Sequence, residues 1–359
     1  MKKRKILLIY TNLGFGGVQK HIIELYKYFS LHNTVHIMAK GGELVNNIKK
    51  EHFIEIPKEF SLYSLKYWKF VLSHLFKYNY DLIHVHHRGQ IFILNLISMI
   101  NKKVRVIATC HNVFPNRNKL MLWPKNVIAV SKAAKTIVNS SFFSKLRKPY
   151  VKVIYNGIDL DQTKKYIAQR VSLEQRGLPL LLLFVGRLEK QKNPLEIIEI
   201  MRLLVRYNPE FNLYILGDGS LKEILIQKAY EYGLQNKIKI IGFVDNVFPY
   251  LVRAYVHIVT SLWEGLPIST LEAMCLGIPT IAYEIPTLKE VIINGVNGFL
   301  VKDRAEFIEK ISTLAKDKKL YQKLCKNALR IAYTNFNLHT MLKKTEEFYN
   351  AVLNYESLD

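Results

Sequence analysis

The sequence predicts an α/β fold: doubly wound parallel sheets repeated in two domains. Two observations carry this. Continuous apolar runs alternate with amphipathic helical stretches along the whole chain, the pattern of strands buried on both faces and covered by helices. The alternation then starts afresh after a polar stretch, Asp159–Gly177, in a chain of 359 residues, which is long enough for two cores.

In the first half, Lys5–Tyr10 (KILLIY) reads as a buried strand bounded by the glycine loop TNLGFGG. Val18–Phe29 follows with Ile22, Ile23, Leu25, Tyr26 and Phe29 at helical spacing. Further strands are predicted at Thr34–Ala39, Phe53–Pro57, Leu82–His86, Val104–Thr109, Val127–Ser131 and Val151–Tyr155. The stretch Asp159–Gly177, rich in Lys, Gln and Arg, reads as the linker. The second half opens on the strand Pro179–Arg187 and the helix Asn193–Arg206. It continues with strand Asn212–Leu216, helix Ser220–Tyr232, strand Lys237–Ile241 and a short helix near Val247–Val252. The expected division is 1–165, 166–336 and a C-terminal helix within 337–359. Two such domains place a ligand cleft at the carboxyl ends of their strands.

Composition narrows the class. Hydrophobic content of 49% with 23% charged residues is that of a globular protein. No uncharged apolar run approaches the roughly 18 residues that span a bilayer. Met1–Lys5 followed by ILLIY is not read as a signal peptide, because removing it would delete the first strand. Three widely spaced cysteines, Cys110, Cys275 and Cys325, form neither a disulfide framework nor a metal motif, so a reduced, intracellular setting is expected. The net charge of +23 is lopsided: Met1–Arg170 holds 29 Lys and Arg against 8 Asp and Glu, while the remainder is nearly balanced. A lysine-rich composition imposed on the whole chain would load both halves alike. The asymmetry points to a polyanionic neighbour, nucleic acid or an acidic membrane surface.

Several residues could carry chemistry. Gly14, Gly16 and Gly17 stand between the first strand and a helix, where backbone N–H groups can approach an anion. The spacing G-x-G-G, with no acidic residue ending the second strand, disfavours a nicotinamide dehydrogenase. Gly186-Arg187 ends the strand that opens the second domain, and Lys192 follows five residues on. A fork and a point charge for phosphate are one reading of this pair, and two solvated cations the other. His84, His86 and His87 cluster after a strand, but no acidic ligand set accompanies them and no metal site is expected. His111, directly after VIATC, either meets a substrate or is a structural histidine. Ser61–Tyr80 presents Lys66, Lys69, Ser73 and Lys77 as a basic stripe beside Trp68 and several tyrosines. It fits a helix in a lipid interface and, equally, a core helix with a lysine edge.

Val256–Tyr283 ties these together. VHIVTS reads as a strand, LWEGLP as a loop, ISTLEAMCL as a helix and TIAY as a second strand. Glu264 and Glu272 lie eight positions apart, so a helix starting near Gly265 would turn both to one side.

Taken in order, GFGGVQ, VIAVSKAAK with Ser131, YNGID, FVGRLEKQKNP, LGDGSL, IIGFVDN and EGLPISTLE resemble family 4 retaining glycosyltransferases. These are nucleotide-sugar-dependent enzymes of the two-Rossmann GT-B fold. The likeness covers nearly the whole chain, and Glu264 with Glu272 matches the family's E-x7-E signature. It implies that Arg187 and Lys192 hold the donor diphosphate, Glu272 the ribose hydroxyls and Glu264 the transferred sugar. The backbone from Gly265 through Leu266, Pro267 and Ile268 would meet sugar and phosphate. Phe243, beside Gly242, would flank the base, Gly16 and Gly17 would close on the diphosphate, and His111 would touch the sugar. It also implies no metal and no cofactor, with attack on the face the phosphate leaves. Gln19 departs from the Glu of many relatives.

The expected function is transfer of a hexose or N-acetylhexosamine from a UDP- or GDP-linked donor to a lipid-linked or lipopolysaccharide-type saccharide. The expected place is the cytoplasmic face of an anionic inner membrane, without nucleic acid. A basic RNA-binding or scaffold protein on an α/β frame accounts for the charge but not for the Arg, Lys and Glu set. A GT-B epimerase or phosphorylase is a nearer alternative.

Overall fold

Seven strands form the first sheet: β1 (Lys5–Asn12), β2 (Thr34–Lys40), β3 (Phe53–Glu55), β4 (Leu82–Val85), β5 (Val106–Cys110), β6 (Asn126–Ala129) and β7 (Tyr150–Val153). They lie in the order β3-β2-β1-β4-β5-β6-β7, all parallel. Six form the second: β8 (Leu180–Val185), β9 (Phe211–Leu216), β10 (Ile238–Gly242), β11 (Val256–Val259), β12 (Thr280–Tyr283) and β13 (Gly298–Val301). Their order is β10-β9-β8-β11-β12-β13, again all parallel. This computed structural model describes residues 3–100, 104–114, 120–169, 179–208 and 210–354. Strands such as β4, β5 and β11 are buried at every position, which is why they read as unbroken apolar runs rather than as alternating ones.

One unit holds Met1–Asn156 with Met341–Asp359, the other Gly157–Thr340. The second core gathers Leu182, Phe184, Ile197, Met201, Leu213 and Phe307 against the sheet. Tyr255 and Tyr321 stack there at 4.2 Å between ring centres, and each hydroxyl donates to a backbone carbonyl. Buried aromatic hydroxyls need such partners.

Two features depart from the sequence reading. Asp159 caps a helix, Leu160–Ala168, by accepting from the backbone of Asp161 and Gln162. Tyr166 of that helix stacks on Phe248 at 5.1 Å, so the start of the expected linker is packed structure; residues 170–178 lie outside the described residues. Strand β13 and the helices Arg304–Lys316 and Lys318–Asn335 belong to the second unit and were not read from the sequence. The four residues of β13, preceded by the polar turn at residues 294–297, are too few to announce a period. From Met341 onward, the helix Leu338–Asn354 packs in the first unit, where Tyr349 stacks on Phe29 at 4.6 Å and Glu346 accepts from the Tyr28 hydroxyl at 2.8 Å.

Candidate functional site

In a doubly wound sheet the order of strands reverses at one point, and the loops there splay apart to leave room for a ligand. In the second unit that point lies between β8 and β11. Gly186-Arg187 follows β8, and the Ser261–Glu264 loop follows β11, so the strand order brings the predicted cations and the first glutamate together.

Their contacts are specific. The Lys192 ammonium is paired with the Glu264 carboxylate, the two side chains being 15% and 7% exposed. The Ser261 hydroxyl donates to the same oxygen, Oε1, at 2.6 Å. Arg187 Nη2 donates to Gln191 Oε1 at 3.0 Å, and Gln191 Nε2 donates to the Trp263 carbonyl at 2.9 Å. Thr260 Oγ1 reaches the carbonyls of Lys192 and Asn193 at 2.9 and 3.0 Å. The 3-10 turn Lys190–Lys192 is thereby laced to the loop after β11. Gly186 leaves space for the lysine stem, since a Cβ there would stand 3.3 Å from Lys192 Cε. Below the loop His257 is wholly buried, its Nδ1 is 3.2 Å from Thr280 Oγ1, and its Nε2 has no hydrogen-bond partner. Burial, and then the Lys192 charge, push the pKa of His257 down to about 3.

The helix after this loop is Ile268–Cys275 with Pro267 as its cap: it begins where ISTLEAMCL was read to begin, and three residues after Gly265, the start that would turn both glutamates to one side. Proline fixes the entry to the helix and offers no cap hydrogen bond of its own. Glu264 therefore sits in the loop, and helical periodicity does not set its direction; Ser261 and Lys192 do. Glu272 lies on the helix and is buried, 6% exposed. Gly265, Leu266 and Pro267 are buried, and Ile268 is half-buried at the helix start. There the first backbone N–H groups lack intrahelical partners, as at any helix N-terminus. Phe243, 43% exposed, follows Gly242 at the end of β10. Sequence reasoning missed Ser261, Gln191 and Thr260. The only signal was their position between or beside the charged residues.

In the first unit the reversal lies between β1 and β4. Gly16 is the extended N-cap of the helix Gly17–Phe29, and a Cβ on it would come within 2.5 Å of Gln19 Oε1. Gln19 Nε2 in turn donates to Asn12 Oδ1 at 3.3 Å, a bond that a glutamate would not make. His84 and His86 share one face, their rings 4.0 Å apart. His86 Nδ1 is 2.9 Å from His111 Nε2. His21, absent from the sequence reading, joins them from the helix: its ring is 5.1 Å from that of His111 and 5.9 Å from that of His86.

Residues 15–162 match Glycosyltransferase Family 4, and residues 166–330 match Glycosyl transferases group 1. The chain is 23% identical over 342 residues to the N-acetylgalactosamine-N,N'-diacetylbacillosaminyl-diphospho-undecaprenol 4-alpha-N-acetylgalactosaminyltransferase of Campylobacter jejuni, across 88% of this chain and 92% of that protein. It is 29% identical over 211 residues to the UDP-Gal:alpha-D-GlcNAc-diphosphoundecaprenol alpha-1,3-galactosyltransferase of Escherichia coli, across 55% of this chain and 54% of that one. Among solved structures, Anabaena HepE in complex with UDP and glucose superposes with a TM-score of 0.81 at 20% identity, over 97% of this chain and all of HepE. Two parallel-sheet domains of this kind define the GT-B class of glycosyltransferases. Within that class, the chain belongs to glycosyltransferase family 4.

Proposed function

We propose that the enzyme moves a hexose or N-acetylhexosamine from a nucleotide-diphosphate sugar to a lipid-linked saccharide, with retention at the anomeric carbon. The observation that carries this reading is the assembly of Arg187, Lys192 and Glu264 at the β8/β11 reversal, beside the start of the Ile268–Cys275 helix. A departing diphosphate needs fixed positive charge, and a guanidinium, an ammonium and helix N–H groups supply it without a metal. In this reading Glu272 binds the ribose hydroxyls and Glu264 the sugar. The contacts of Gly16, Gly17 and His111 with the donor are proposed from the family resemblance alone. The acceptor oxygen bonds to the anomeric carbon on the face that the diphosphate leaves. The acceptor's hydroxyl proton then passes to the departing phosphate oxygen.

A UDP-linked donor is supported by HepE with UDP and by the Escherichia coli relative, and a polyprenyl-diphosphate acceptor by the names of both relatives. The surface of the first unit suits such an acceptor. The helix Leu65–Tyr78 buries only Tyr67, Val71 and Leu75, and it exposes Lys66, Lys69 and Lys77 together with Leu65 and Phe76. Apolar side chains among lysines fit the boundary of an anionic bilayer. No helix among the described residues is long and apolar enough to cross a membrane.

Screening UDP- and GDP-sugars for slow hydrolysis, with thermal shift by the free nucleotides, tests the donor assignment. Protection by neither nucleotide, with no hydrolysis of any sugar, would overturn it. Flotation with anionic vesicles tests the surface: binding indifferent to both lipid charge and salt would remove the membrane from the reading.

A further inference from the structure

We infer that His86 is a positioning residue for His111: its Nδ1–H donates to His111 Nε2 and fixes His111 in the tautomer that carries its own proton on Nδ1, where it can donate to a ligand oxygen. The consequence for the donor sugar rests on the reading, given above, that His111 touches that sugar; the hydrogen bond itself does not.

The pair is a product of strand order. β4 and β5 are parallel neighbours, with Val85 opposite Ala108, so the residues that leave their carboxyl ends emerge side by side. His86 is the first residue after β4, and its backbone N–H donates to the Ile9 carbonyl of β1 at 3.1 Å. His111 is the first residue after β5. The His86 ring packs on that of His84, 4.0 Å away between centres. His84 is itself held at both nitrogens, Nδ1 by the Tyr349 hydroxyl at 2.5 Å and Nε2 by Thr109 Oγ1 at 2.6 Å. The 2.9 Å contact of His86 Nδ1 with His111 Nε2 is therefore made by a ring locked from behind.

A contact between two ring nitrogens needs one donor and one acceptor, and two observations decide which is which. Both rings are neutral near pH 7: burial first, and then the neighbouring histidines, hold them well below the ordinary histidine value. Each therefore carries a single proton. His86 Nε2 is buried and has no hydrogen-bond partner. With the proton on Nε2, a buried N–H would stand unpaired; with the proton on Nδ1, only a lone pair does. Among unpaired buried polar groups, donors are rarer than acceptors. His86 thus donates from Nδ1, His111 Nε2 accepts, and the His111 proton sits on Nδ1.

This assigns His111 one job and denies it another. Its Nδ1–H suits an oxygen acceptor, such as a sugar hydroxyl or the carbonyl of an N-acetyl group, and the half-buried ring leaves a ligand room to approach. Neither nitrogen can take up a proton, because Nδ1 already holds one and His86 engages the Nε2 lone pair. His111 is not a general base, so the acceptor's proton goes to the departing phosphate oxygen, as in the reading above.

Long-range 1H–15N correlation of the full chain with 15N-labelled histidine tests the pair, since protonated and bare ring nitrogens resonate far apart. His111→Gln identifies the His111 signals by their loss. A proton on His111 Nδ1 is expected in the wild type. In His86→Asn an amide N–H replaces the donor near the position of Nδ1, and the tautomer should persist; in His86→Leu it should give way to a mixture. Slow hydrolysis of a nucleotide-sugar is the second readout. KM should rise roughly 3- to 10-fold in His86→Leu, the effect of one weakened hydrogen bond, and recover in His86→Asn. The dissociation constant of the free nucleotide, which has no sugar, should stay unchanged, whereas a merely structural histidine would move both. A proton on His111 Nε2 in the wild type, or an unaltered tautomer in a folded His86→Leu chain, would overturn the proposal. If the His86 variants do not fold, the wild-type spectrum decides. If no nucleotide-sugar is hydrolysed, the donor reading fails and the spectrum still decides the pair.

Discussion

The Lys192 ammonium pairs with the Glu264 carboxylate across 72 residues of sequence, and the Ser261 hydroxyl donates to the same carboxylate oxygen. Both charges are largely withdrawn from water. The pair therefore has two roles. It holds the loop after β11 against the turn after β8, and it keeps an ammonium aimed at the place where the reading puts a diphosphate.

Removing one partner should cost more than removing both. Lys192→Ala leaves the Glu264 carboxylate buried without its counter-charge, and a loss of about 3 kcal/mol in unfolding free energy is expected. The double variant Lys192→Ala/Glu264→Ala should recover part of that loss. Urea denaturation of the two single variants and the double variant gives the coupling directly. Additive losses would mean the contact contributes nothing. Turnover should also fall in Lys192→Ala, since the diphosphate loses a cation; full activity would refute that role.

Glu272 makes a different prediction. If it binds ribose hydroxyls, Glu272→Ala should raise the dissociation constant for the free nucleotide roughly 10- to 100-fold, the effect of about 1.4–2.8 kcal/mol of lost hydrogen bonding. Calorimetry with the nucleotide alone reads this without any acceptor. Unchanged affinity in a folded variant would remove the ribose assignment.

Gly217 tests the backbone beneath Arg187. Its φ is +146°, and a Cβ there would stand 1.9 Å from the Gly186 carbonyl oxygen, a contact that side-chain motion cannot relieve. Gly217→Ala should force the β8 and β9 ends apart and lower the melting temperature by several degrees, through strain and through the displaced Gly186-Arg187 turn. Gly233→Ala serves as the comparison: it also has a positive φ, of +66°, but nothing lies near its Cβ, so the loss there should be the smaller one. Equal losses at the two positions would show that conformation alone, rather than the close approach, decides the cost.

His257 predicts how stability responds to acid. Its pKa in the folded chain is about 3, below the value of about 6.5 for an unfolded histidine, so the unfolded state takes up the proton first. Its contribution is fully present above pH 6.5 and is lost progressively as the pH falls towards 3. The slope reaches about 1.4 kcal/mol per pH unit below the unfolded value. His257→Gln removes this proton uptake, so its stability should fall less steeply between pH 6.5 and 5. Parallel curves for the two proteins would show that His257 does not titrate as described.

Much of this was legible in the sequence for a local reason. Unbroken apolar runs such as LLIY, LLLLFV and VHIV specify strands covered on both faces, and glycines or charged residues mark where they end. Arg187, Lys192, Glu264 and Glu272 stand out as charged residues beside such runs. What local periodicity does not encode is which strand lies next to which. The orders β3-β2-β1-β4 and β9-β8-β11-β12 create the reversal points, and so bring Lys192 to Glu264 and His21 to His86 and His111. The helix start at Ile268 was legible in ISTLEAMCL after the turn residues of LWEGLP, but the direction of Glu264, which lies in that loop, was not, because only packing against Ser261 and Lys192 sets it. Sequence by itself determined the strands, the two-sheet class and the charged residues of the candidate site. Tertiary structure alone decided their partners, because contacts between distant segments are set by the packing of whole sheets and helices rather than by neighbours in the chain.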